Sequence, residues 1–159
     1  MVDPPDRVVL LKRAAAGDLA AEDELFWIIC DDLRRNSPAS SSVHAAFSQI
    51  DDSRIDANER QRFYVVASRA MRWLMVDGER EQGEPRSAVL GLDRMLQRLN
   101  SLDQQRAQVA EMHFFANLSE EEIADILQLS LRVVRRQLST ANTWLFEQTS
   151  FAEEAKDSA

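Results

Sequence analysis

Three arginines, Arg132, Arg135 and Arg136, stand close together in a stretch, Leu131 to Thr143, that holds no acidic residue. A guanidinium presents a planar fork of donors, which fits the edge of a guanine or the oxygens of a phosphate. Ser130, Gln137 and Ser139 place further hydrogen-bonding side chains beside them. This grouping suits recognition of DNA; the alternative is a helix face that is only solvated. Catalytic chemistry finds less support. His44 and His113 are the only histidines, and neither belongs to a zinc spacing such as His-Glu-x-x-His. With 4 glycines the chain has no glycine-rich phosphate loop, and the adjacent acids Asp31-Asp32 and Asp51-Asp52 diverge on helices or at their ends. Cys30 is the only cysteine, so no disulfide framework or thiolate zinc site can form. No enzymatic activity, metal or cofactor is expected.

The elements that must position the arginines are legible nearby. Ser119 and Glu122 have the spacing of a capping box, in which each side chain satisfies a backbone amide at the start of a helix. Ile123, Ala124 and Leu127 then give that helix one apolar stripe. Gln128-Leu129-Ser130 reads as a turn, with Leu129 between the helices and Ser130 a second N-cap. Val133, Val134 and Leu138 anchor the following helix, which leaves Arg132, Arg135, Arg136, Gln137 and Ser139 facing outward. The pattern is a helix-turn-helix.

Upstream, helix follows helix. The spacing predicts one from Arg7 to Ala16 ending at Gly17, and one from the cap Asp18 to Arg35. A short third covers Val43, Phe47 and Ile50 and ends near Asp51-Asp52; a long one spans Ala57 to Glu81. Leu92 to Leu99 and Asp103 to Phe115 precede the helix-turn-helix. No alternating strand pattern and no internal repeat is present. The expected fold is all-α, with two small helical domains at 1–81 and 91–150, a linker at 82–90, and an irregular acidic tail at 151–159. No apolar run reaches the roughly 18 residues needed to span a bilayer, and the N-terminus lacks a signal-peptide pattern. A soluble protein of the cytoplasm is expected.

Charge qualifies the DNA reading. The chain carries 19 Lys+Arg against 27 Asp+Glu, a net −8, whereas free-standing DNA binders usually present basic surfaces. Divided after Arg80, its two parts carry 11 basic against 14 acidic residues and 8 against 13. Positive charge is confined to one helix, so affinity for DNA must come partly from a partner.

The run from Leu99 through Phe114-Phe115, Leu118-Ser-Glu-Glu-Glu-Ile-Ala-Asp-Ile-Leu127 and on to Ala141-Asn-Thr-Trp-Leu145 resembles the promoter −35-binding domain of extracytoplasmic-function (ECF) sigma factors of the bacterial sigma-70 family. Arg62-Phe-Tyr-Val-Val-Ala-Ser-Arg-Ala-Met-Arg-Trp-Leu-Met-Val-Asp77 resembles the helix with which they melt and read the −10 element. The resemblance covers about 7–149 and makes the C-terminal domain a winged-helix-like, sigma-4-type one. It implies that Ser130, Arg132, Arg135, Arg136, Gln137 and Ser139 meet the −35 element in the major groove. Arg69 and Arg72 would meet the backbone near −10, with Tyr64 and Trp73 either stacking on unpaired bases or packing in the core. Core RNA polymerase would be bound around Val43, Phe47, Ile50, Asp51 and Asp52. The chain departs from the family in three places. A serine-rich loop replaces a longer basic stretch after Arg35. Gln128 stands where glycine is common, so that turn must accept a left-handed residue or take another geometry. Gly78-Glu79 follows Asp77 where family members tend to be basic.

The resemblance implies a non-enzymatic subunit that carries RNA polymerase to particular promoters. The alternatives are a sigma-derived regulator that binds DNA or polymerase without initiating, and a pure protein-interaction module. Ser37, Ser40, Ser41 and Ser42 could accept phosphate from a Ser/Thr kinase beside the polymerase-binding helix. Nothing after Thr149 is long enough for a sensing domain, so a separate partner such as an anti-sigma protein would carry any signal.

Overall fold

The computed structural model describes residues 6–35, 43–81 and 88–157. Among these residues eight α-helices follow in order: α1 Arg7–Ala15, α2 Leu19–Arg35, α3 Val43–Phe47, α4 Ala57–Glu81, α5 Ala88–Leu102, α6 Gln104–Phe114, α7 Glu120–Leu127 and α8 Leu131–Asp157. A 3-10 turn, Asp52–Arg54, lies between α3 and α4. Among the described residues there is no strand. The chain divides into two compact units, Met1–Leu74 with Phe115–Asn117 and Met75–Phe114 with Leu118–Ala159. That division falls within α4. The sequence places a linker at 82–90, but α5 already begins at Ala88, and α4 continues unbroken through Gly78, whose position is open enough to cost no contact.

In the N-terminal unit the starts of α1, α2 and α4 are fixed by aspartate side chains. Asp6 accepts from the Val8 amide at 2.9 Å to open α1. At its end Gly17 takes φ +103°, and the Asp18 and Gly17 amides reach back to the carbonyls of Arg13 and Ala14. This is a Schellman closure, which needs a left-handed residue where glycine now sits. Asp18 accepts from the Ala21 amide and so opens α2. Asp56 and Glu59 cap α4 reciprocally: the Glu59 amide donates to Asp56 at 2.8 Å and the Asp56 amide to Glu59 at 3.0 Å. Lys12 then pairs with the largely buried Glu59 at 3.0 Å. The core collects Leu10, Leu11, Leu25, Ile29, Leu33, Val43, Phe63, Val66 and Ala67, one stripe from each helix. Cys30 lies in that core, and burial pushes its thiol up to about 11, which leaves it a packing residue and a poor nucleophile.

In the C-terminal unit α6 is central, packed against α5, α7 and α8. Leu96, Leu99, Val109, Ala110, Met112, Leu118, Ile123, Ile126, Val134, Leu138 and Ala141 fill the core. His113 bonds through Nδ1 to the Leu118 carbonyl at 3.0 Å. A carbonyl only accepts, so Nδ1 carries the proton and ties the end of α6 to the loop before α7. The expected irregular tail is helical instead: α8 runs on to Asp157. Ala152-Glu-Glu-Ala-Lys is made of strong helix formers with no breaker, so nothing local stops propagation.

Candidate nucleic-acid interface

The α7–turn–α8 segment is built by caps at both ends of its turn. Ser119 Oγ accepts from the Glu122 amide at 3.1 Å, while a Glu122 oxygen accepts from the Ser119 amide at 3.3 Å, completing the capping box. At the other end Gln128 is left-handed (φ 57°, ψ 43°), and the Leu129 and Gln128 amides reach the carbonyls of Ala124 and Asp125. The turn therefore keeps the geometry that glycine usually serves and places a glutamine in it. The Gln128 side-chain amide donates to the Asp125 carbonyl at 3.0 Å, which partly offsets the strain. Gln128→Gly is expected to stabilise the protein by about 0.5–1 kcal/mol by relieving the left-handed residue. A rise in the urea midpoint at unchanged slope would show it; a fall would mean that the side-chain bond outweighs the strain. Ser130 Oγ accepts from the Val133 amide at 3.1 Å and opens α8.

That geometry sets the face of α8. Val134 and Leu138 point into the core, and Val133 and Leu129 are half-buried. Arg132, Arg135, Arg136, Ser130 and Ser139 are exposed. Gln137 is not turned outward. Its amide donates to Gln105 on α6 at 2.8 Å, and its oxygen is buried without a hydrogen-bond partner, so it packs α8 on α6. The three arginines also differ. Arg135 donates through Nε to Glu120 at 2.8 Å and lies 3.8 Å from Glu121, both in the first turn of α7. Arg132 and Arg136 have no ion-pair partner among the described residues. The Arg135 pairing joins residues on separate helices, and neither helix's periodicity announces it.

In the N-terminal unit the candidates on α4 divide. Tyr64 is 3% exposed, shares a hydrogen bond with His44 Nδ1 at 2.9 Å, and packs against Phe47 and Phe63 with ring centroids at 5.1 and 5.8 Å. Its ring packs in the core. Trp73 is half-buried at the surface. Its ring meets Trp27 edge-on at 5.0 Å and lies under the Arg34 guanidinium at 5.3 Å. Arg69 is exposed, stands over Phe26 at 5.7 Å and reaches Glu22 at 3.4 Å. Arg72 is half-buried. Leu19, Glu22, Asp23, Phe26, Arg69 and Trp73 line an open cleft of about 370 Å³. The α2 members of this surface, Trp27 and Arg34, were not among the sequence candidates, because their proximity to Trp73 is tertiary.

The residues expected to meet polymerase also divide. Val43, in α3, and Ile50, just after it, are buried in the core. Phe47 is half-buried with its ring 5.3 Å from Phe63, which packs this segment on α4. Asp51 and Asp52 are exposed. Hydrogen bonds from the Ser53 hydroxyl and amide hold the Asp51 carboxyl below the usual range as it caps the 3-10 turn. The helix itself is shorter than expected, ending at Phe47. Ser37, Ser40, Ser41 and Ser42 lie outside the described residues. Among the described residues no cluster of His, Cys, Asp and Glu could hold a metal, and no helix is long and apolar enough to cross a membrane.

Residues 82–151 match the family model described as ECF sigma factor, a span of somewhat less than half the chain. No curated protein and no solved structure matches the chain.

Proposed function

The chain carries an ECF sigma factor domain over residues 82–151, and on that premise we propose that it directs core RNA polymerase to particular promoters for transcription initiation. The observation that carries this reading is the arginine face of α8, set by a doubly capped turn, in a protein of net charge −8. So confined a positive charge suits a protein delivered to DNA by a larger assembly. In this reading α7 and α8 form a helix-turn-helix that lays α8 in the major groove at the −35 element. Arg132, Arg135 and Arg136 contact guanine edges or phosphates, with Ser130 and Ser139 beside them. The N-terminal unit supplies the contact near −10, through Arg69, Arg72 and the half-exposed Trp73. The exposed Asp51 and Asp52 remain available to polymerase.

The test is run-off transcription with purified chain, core polymerase and fragments of the source genome. Starts that depend on the chain and map to a shared upstream sequence support the proposal. Footprints on DNA without core binding would point to a sigma-derived regulator instead.

A further inference from the structure

The first turn of α7 carries Glu120, Glu121 and Glu122. Acids there suit the positive end of the helix dipole, and Glu122 is committed to the capping box. Glu120 and Glu121 do something else: they converge on Arg135, one of the three arginines of α8. The pair is open to water, with side-chain exposures of 58% for Arg135 and 37% for Glu120, so it breaks and re-forms readily.

We infer that Glu120 and Glu121 restrain Arg135 from indiscriminate phosphate contact and thereby set the chain's discrimination between specific and non-specific DNA. This rests on the reading of α8 as the DNA-contacting helix. Non-specific binding is almost wholly the neutralisation of phosphates by cations, with release of condensed counterions. A guanidinium already matched by a carboxylate releases fewer counterions, and a phosphate approaching it meets two like charges. A guanine edge is uncharged and is not repelled in this way. Only Nε of Arg135 is engaged at hydrogen-bond distance by Glu120, so terminal amino groups remain to reach O6 and N7. Discrimination is a difference between two affinities, and this arrangement lowers the unwanted one.

The test uses the full chain and a mixed-sequence duplex of non-promoter DNA, titrated over a range of salt. Glu120→Gln with Glu121→Gln leaves the Ser119–Glu122 capping box in place, and thermal melting checks that the fold is kept. Affinity is expected to rise roughly two- to five-fold, the worth of an exposed ion pair, and the slope of log K against log salt to steepen by about 0.9, one further phosphate contact. In an Arg135→Ala background both changes should vanish. If the gain persists there, the carboxylates act by general repulsion and the inference fails. Weaker or unchanged binding in the double glutamine variant overturns it too. Arg132→Ala with Arg136→Ala separates the underlying reading: if that variant binds the duplex as the parent does, α8 is not the DNA-contacting helix at all.

Discussion

Phe63→Ala is expected to cost the N-terminal unit about 3–5 kcal/mol, the range for removing a fully enclosed aromatic ring. Phe63 is 1% exposed and sits where α3 packs on α4. Its ring meets Phe47, the last residue of α3, at 5.3 Å, and Tyr64 at 5.8 Å, while its own backbone lies in α4. Without the ring, Phe47 loses its packing partner, and the Val43–Ile50 segment loses much of its hold on α4. Because the chain forms two units, one global transition is the wrong frame. Trp27 and Trp73 fluorescence in a Trp144→Phe background reports the N-terminal unit under urea. Phe63→Leu, which keeps most of the volume, should cost far less. Equal loss in both variants would mean that ring geometry matters here more than filled volume.

Arg132→Ala combined with Arg136→Ala should remove promoter-directed transcription in the run-off assay. Each arginine that is bidentate to guanine contributes about 1–3 kcal/mol of discrimination, so two together are worth far more than tenfold. An arginine on phosphate behaves differently: its loss weakens all duplexes alike and flattens the salt slope by about 0.9. The single variants measured against salt therefore sort the two roles. Both side chains are exposed and have no ion-pair partner among the described residues, so neither substitution leaves a buried group orphaned. Unchanged transcription in the double variant, with the melting temperature kept, would remove α8 from the promoter contact.

The parts of this fold that the sequence makes legible are those set by neighbours in the chain. The Ser119–Glu122 box, the Ser130 cap, the Gly17 stop and the start of α4 each depend on residues within one turn, and each forms. Gln128 left two geometries open, and the left-handed one is adopted. What the sequence leaves unread is tertiary. Tyr64 has a helical position and an amphipathic ring that suit a surface or a core equally; His44 and Phe47, 20 and 17 positions earlier, settle it. Val43 and Ile50 could have belonged to a partner's interface, but the unit's own core takes them. Gln137 faces α6 because Gln105 happens to be there to accept its amide. Periodicity reports which residues share a face of a helix, and it says nothing about what that face meets.

The attachments of α1 carry a consequence for how this chain is made. A helix of nine residues is marginal alone in water, and α1 is secured from afar: Arg7 by Asp32 at 2.9 Å, Asp6 by Arg54 at 3.0 Å, Lys12 by Glu59 at 3.0 Å. A ribosome emits α1 before any of these partners, and Glu59 follows Lys12 by 47 positions. At about 5–20 residues per second the delay is several seconds. Helix α2, on which α1 packs, follows it closely, but the ties from Asp6 and Lys12 wait for Arg54 and Glu59, so α1 is fully secured only when α4 has begun to emerge.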